Sequence, residues 1–99
     1  MSIVKIQEET AGKIASLLLE VEAIKLNYKN PFTWSSGWKS PIYCDNRLAL
    51  SYPKIRTLIK EILANAIKTN FGQAEYIAGV ATAGVPQGAL VADALDLPY

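Results

Sequence analysis

The sequence predicts an α/β fold made of helices, a small antiparallel hairpin and the start of a parallel sheet. Three observations predict it. Ile55, Leu58, Ile59, Ile62, Leu63, Ala66 and Ile67 recur at i, i+3, i+4, i+7 spacing, the stripe of an amphipathic helix. The apolar run Tyr76–Ala81 is followed by a turn, a second helical stretch and a new extended start at Leu97–Tyr99, which is the order strand, helix, strand. Between Asn27 and Arg47 there is no helical period, only short runs of strand formers among turn residues.

The elements follow in order. Ile14, Leu17, Leu18 and Val21 place a first helix from about Glu8 to Leu26, with Glu8, Glu9 and Thr10 favouring its start by charge and capping. Phe32-Thr33-Trp34 and Ile42-Tyr43-Cys44 are expected to pair as antiparallel strands across the loop Ser35–Pro41, and Leu48-Ala49-Leu50 to be extended. Ser51 is the expected cap of the next helix and Pro53 suits its first turn. Gly72, just past the end, suits a left-handed residue. Tyr76–Ala81 reads as a strand covered on both faces, and Thr82-Ala83-Gly84 as the turn into a helix over Val85–Leu95 that Asp96 ends.

A parallel pair needs its returning strand, and only the first residues of one follow Asp96. The expectation is therefore a single, incomplete domain over 1–99, apparently truncated. Residues 1–50 would form an N-terminal helix and hairpin, and 51–99 the start of an α/β core. A small α+β protein completed by dimerisation is the other arrangement that fits.

Composition narrows the function. The chain has 99 residues, a hydrophobic fraction of 51%, a charged fraction of 19% and a net charge of +1, with a mean hydropathy of +0.15. This is not a disordered composition, and it gives no general pull towards nucleic acid or an anionic membrane. There is no histidine, which excludes Ser-His and Cys-His catalysis within the chain and imidazole metal sites. One cysteine, Cys44, cannot close an internal disulfide and suits a reducing, cytoplasmic setting. No apolar run reaches the ~20 residues of a membrane span, and Met1–Ile6, followed by Gln7, Glu8 and Glu9, does not read as a signal peptide.

Two stretches could carry chemistry. Gly79–Pro86 joins a strand to a helix N-terminus, where small residues, unpaired N–H groups and the helix dipole suit an anion such as phosphate. The loop lacks both G-x-G-x-x-G and the Lys-Ser/Thr of a P-loop, and a plain packing turn explains its glycines slightly better. Trp34, Trp38 and Tyr43, with Ser35, Ser36, Ser40 and Lys39, combine flat faces with polar donors, as a planar anionic molecule requires. On composition alone, a hairpin core explains them better. Asp45 and Arg47 read as a structural ion pair, Cys44 as a packing residue, and Lys54, Arg56, Lys60 and Lys68 as a solvated helix face.

Phe32–Arg47 (FTWSSGWKSPIYCDNR) strongly resembles the N-terminal signature of bacterial orotate phosphoribosyltransferases. Leu50–Pro53 and Ile77–Pro86 continue the resemblance in the same order. The resemblance implies the N-terminal part of a type I phosphoribosyltransferase fold, a parallel-sheet core under a small hood, in a cytoplasmic homodimer. It implies transfer of phosphoribosyl from phosphoribosyl diphosphate to orotate, with Mg2+, giving orotidine 5′-phosphate and diphosphate in pyrimidine biosynthesis. Neither nucleic acid nor membrane is an expected partner.

Carried over by position, Ser35, Tyr43 and Cys44 correspond to the orotate-contacting hairpin, and Thr82, Ala83 and Gly84 to the diphosphate loop. Many members have lysine at the positions of Ser35 and Ala83 and aromatic residues at both Tyr43 and Cys44, so main-chain contacts are expected here instead. The family's phosphoribosyl-diphosphate motif, with its paired acidic residues, and its mobile basic loop have no match in these residues and are expected beyond Tyr99. No catalytic residue and no metal ligand are therefore assigned. The segment alone is expected to be inactive, and a non-catalytic small-molecule-binding or dimerisation module derived from the same fold is the alternative.

Overall fold

The computed structural model describes residues 7–99, so the reading of Met1–Ile6 lies outside the described residues. The order is α1 (Glu8–Glu20), β1 (Ile24–Leu26), β2 (Phe32–Thr33), β3 (Lys39–Ser40), β4 (Ile42–Cys44), a 3-10 helix (Asn46–Ser51), α2 (Pro53–Asn70) and α3 (Gly84–Leu95).

The first helix stops at Glu20 rather than continuing to Leu26. Glu22 takes a left-handed φ of 60°. The Glu22 N–H donates to the Leu19 carbonyl at 3.1 Å and the Ala23 N–H to that of Leu18 at 2.9 Å, the paired bonds of a Schellman ending. Such an ending usually carries glycine, so a glutamate in its place hides it from the sequence. The chain then turns back, and Ile24–Leu26 becomes a strand.

That strand changes the predicted pairing. β4 pairs antiparallel with β1, Ile24 opposite Cys44 and Leu26 opposite Ile42, while β2 pairs with β3, Phe32 opposite Ser40. The expected direct pairing of Phe32–Trp34 with Ile42–Cys44 is replaced by two small ladders. A turn at Ser35–Gly37 closes the second: Gly37 has φ of 90°, and its N–H donates to the Trp34 carbonyl at 2.8 Å. The indole Nε1 of Trp34 donates to the Ile42 carbonyl at 2.9 Å, tying one ladder to the other. The Phe32 and Tyr43 rings lie 5.7 Å apart at 43° and brace the same junction.

Leu48-Ala49-Leu50 lies in the 3-10 helix and is not extended. Asp45 starts that helix, its Oδ1 accepting from the Arg47 N–H at 3.1 Å. In α2, Pro53 occupies the first turn as expected, but the cap residue is Tyr52, without a side-chain cap, rather than Ser51. Gly72 is not left-handed: α2 ends through Phe71, whose N–H donates to the Ile67 carbonyl at 2.6 Å, and a turn to Ala74 follows. α2 packs on α3 and on the 3-10 helix. The buried residues are small: Ala23, Ala49, Ala64, Val91 and Ala92.

α3 begins at Gly84, within one residue of expectation, and ends at left-handed Asp96 with a second Schellman pair to Asp93 and Ala92. The predicted strands Tyr76–Ala81 and Leu97–Tyr99 lie beside one another but form no ladder. One backbone bond, from the Ile77 N–H to the Pro98 carbonyl at 3.0 Å, joins them. Tyr76 and Val80 are exposed, so this run is not covered on both faces among the described residues.

Candidate functional site

A cavity of about 680 Å³ opens where β4, the 3-10 helix, α1, α2 and the start of α3 converge. Its polar rim comes from Tyr43, Cys44, Asp45, Asn46, Arg47, Thr82, Ala83 and Gln87. Ile14 and Leu18 of α1, Leu50, and Ile59 and Leu63 of α2 supply the apolar floor. This volume and lining suit a small molecule with one flat apolar face and several polar edges.

The order of elements explains the rim. β4 ends at Cys44, and the 3-10 helix turns the chain immediately afterwards, so consecutive residues present themselves to one space. The Cys44 thiol meets the Asn46 Oδ1 at 3.1 Å. Arg47 grips Asp45 with two bonds, Nε to Oδ1 at 2.8 Å and Nη2 to Oδ2 at 3.1 Å. The expected ion pair is thus present, set on the cap and first turn of the 3-10 helix. The side-chain hydrogen bond from Arg47 holds the Asp45 carboxyl below the usual carboxylate range, and Asp45 raises Arg47 in return.

The opposite rim is the turn into α3. The Gly84 N–H donates to the Val80 carbonyl at 2.8 Å and the Val85 N–H to that of Thr82 at 3.3 Å. Pro86 has no N–H to offer. Among the described residues, the N–H groups of Gly79, Val80, Ala81, Thr82 and Ala83 have no main-chain acceptor, and of these Thr82 and Ala83 line the cavity. Close packing holds this turn in place. A Cβ on Gly79 would run into the Tyr99 hydroxyl and lie 2.5 Å from the Gly84 carbonyl oxygen, and one on Gly88 would lie 2.8 Å from the Tyr99 ring. The Tyr99 hydroxyl donates to the Val85 carbonyl at 2.6 Å.

Of the residues singled out from sequence, Tyr43, Cys44, Thr82 and Ala83 line the cavity together, whereas Ser35 and Gly84 are not among its lining residues. Ser35 is an exposed member of the β2–β3 turn. Sequence reasoning did not assign Asn46 or Gln87 to a site. Gln87 could have been found from its spacing, one helical turn after Ala83. Among the described residues no group of three acidic or cysteine side chains could hold a metal ion, and no helix is long and apolar enough to cross a membrane.

No family model matches the chain. It is 65% identical over 92 residues to an orotate phosphoribosyltransferase of Porphyromonas gingivalis, covering 92% of this chain and 44% of that protein. It is 59% identical over 85 residues to one from Bacteroides fragilis, covering 86% of this chain and 40% of the relative. Among solved structures it resembles the orotate phosphoribosyltransferase of Aeropyrum pernix, with a TM-score of 0.70 at 27% identity over 86% of this chain and 49% of the other. UMP synthase of Leishmania donovani superposes with a TM-score of 0.68 at 25% identity, over 86% of this chain and 18% of that one. The chain thus spans less than half the length of the curated relatives it matches.

Proposed function

We propose, from the premise that this chain belongs to the orotate phosphoribosyltransferase family, that its cavity is part of an orotate and diphosphate site. One observation carries the proposal. Cys44 and Thr82, far apart in sequence and each in a stretch resembling the family, line the same cavity. Orotate is a flat anion, and the apolar floor would cover its ring while the main chain and side chains of Tyr43 and Cys44 meet its edge. Diphosphate is the anion suited to the Thr82 and Ala83 N–H groups at the positive end of α3.

In the proposed transfer, the bond from ribose C1 to diphosphate loosens and the orotate ring nitrogen forms the new bond at C1. The contribution of these residues would be to hold both groups in line and to keep water from the ring face. Asp45 is the one carboxylate on the rim, and it is engaged by Arg47. We therefore assign no magnesium ligand among these residues, and propose that the Mg2+ of the reaction takes its protein ligands elsewhere. Assembly as a homodimer and a cytoplasmic location are part of the same proposal.

The segment by itself is proposed to bind without turning over, because the phosphoribosyl-diphosphate motif has no counterpart in its sequence. Calorimetry with orotate and with diphosphate separately, and an assay for orotidine 5′-phosphate with phosphoribosyl diphosphate and Mg2+, test both parts. Saturable binding of each ligand without product is the expected result. Product from material of verified 10.8 kDa would refute the inactivity, and no binding of either ligand would refute the site.

A further inference from the structure

The side chain of Gln87 is the feature least accounted for. Its Nε2 is buried and has no hydrogen-bond partner among the described residues, and it is the one side-chain nitrogen or oxygen in that state there. A buried amide N–H left unpaired is unfavourable, and native structures rarely keep one without cause. Gln87 nonetheless belongs to the cavity lining. Ala83 has helical dihedrals, φ −66° and ψ −30°, so Ala83 and Gln87 stand one turn apart on the same face of α3. Helical side chains lean towards the N-terminus, which carries the Gln87 carboxamide over the turn at Ala83.

We infer that Gln87 is a ligand-positioning residue whose carboxamide N–H donates to an oxygen on the edge of the planar, orotate-class ligand. This rests on the site proposed above and adds a residue to it. The apolar lining of the cavity favours the ring over the diphosphate. Ile59 and Leu63 of the floor offer a dry surface that a flat ring can cover, whereas a diphosphate calls for cations or main-chain donors. A neutral amide suits a ring carbonyl or carboxylate oxygen, and a half-turn about its last torsion exchanges the carbonyl oxygen and the N–H2.

The test is calorimetric titration of the 99-residue chain and of two variants, Gln87→Met and Gln87→Glu, with orotate and with inorganic diphosphate. Thermal melting is followed in parallel. Gln87→Met keeps the length and removes the donor, and about tenfold weaker orotate binding is expected. Gln87→Glu keeps the shape and presents an anion, so its loss should be larger. Diphosphate binding by Gln87→Met should stay within about twofold, and its melting temperature should hold or rise as an unpaired amide disappears. Unchanged orotate affinity in either folded variant overturns the inference and leaves the site standing, as does an equal loss for both ligands. Unfolding of both variants would make Gln87 structural and overturn it as well. A wild-type chain that binds neither ligand overturns the site and the inference together.

Discussion

Asp45 shows how one side chain can serve a turn and a cavity rim at once. Its carboxylate caps the 3-10 helix through the Arg47 N–H and takes two bonds from the Arg47 guanidinium. Because these bonds hold its pKa below the unfolded value, its stabilising effect is present above the ordinary carboxylate pKa and is lost as pH falls through the folded one. Thermal melts from neutral pH downward should therefore show wild type exceeding Asp45→Asn near neutrality, with the gap closing below about pH 3–4. A gap that does not change with pH would show that the charge of Asp45 is not its source. Gly88 is the second informative residue. An added methyl would meet the Tyr99 ring at 2.8 Å and the Gly79 Cα at 3.0 Å, so Gly88→Ala should cost about 1–3 kcal/mol, read as a lower melting temperature.

Among the elements, the ends of α1 and α2 diverge furthest from expectation, whereas α3 ends at Asp96 as expected. α1 and α3 both finish on non-glycine left-handed residues, Glu22 and Asp96, while Gly72 after α2 does not take that conformation. Glycine permits a left-handed turn but does not impose one; bonds to the preceding carbonyls and the path of the following chain decide. Glu22→Gly relieves the Cβ penalty at φ 60° and should raise stability by about 0.5–1 kcal/mol, measured by denaturant unfolding. The same early stop of α1 releases Ile24–Leu26 to pair with β4. That pairing places Cys44 at the end of a ladder and Asp45 at the start of the 3-10 turn. Local spacing made α2 legible almost to the residue, since seven apolar side chains repeat one period. It could not reveal the β1–β4 pairing, because the Ile24–Leu26 segment also fits the helix that precedes it.

At the scale of the whole chain, apolar surface is left open. Among the described residues no large side chain is fully buried, and Leu26, Tyr28, Trp38, Tyr76 and Val80 are among the large apolar residues exposed. The radius of gyration of 15.3 Å exceeds the roughly 12–13 Å of a compact domain this long. A probe such as anilinonaphthalene sulfonate should therefore fluoresce with the native chain in buffer, and a dark native sample would contradict so open a surface. The sequence by itself determined the stripes of α1 and α2, the turn into α3, the Asp45–Arg47 pair and the resemblance to the family, because periodicity and short motifs act over a few residues. Only the tertiary structure decided which strands pair, that Tyr43 and Cys44 share a cavity with Thr82 and Ala83 while Ser35 does not line it, and that Gln87 lies on its wall. Those outcomes depend on where distant segments meet, and meeting is governed by packing and backbone hydrogen bonding across the chain rather than by any one stretch of it.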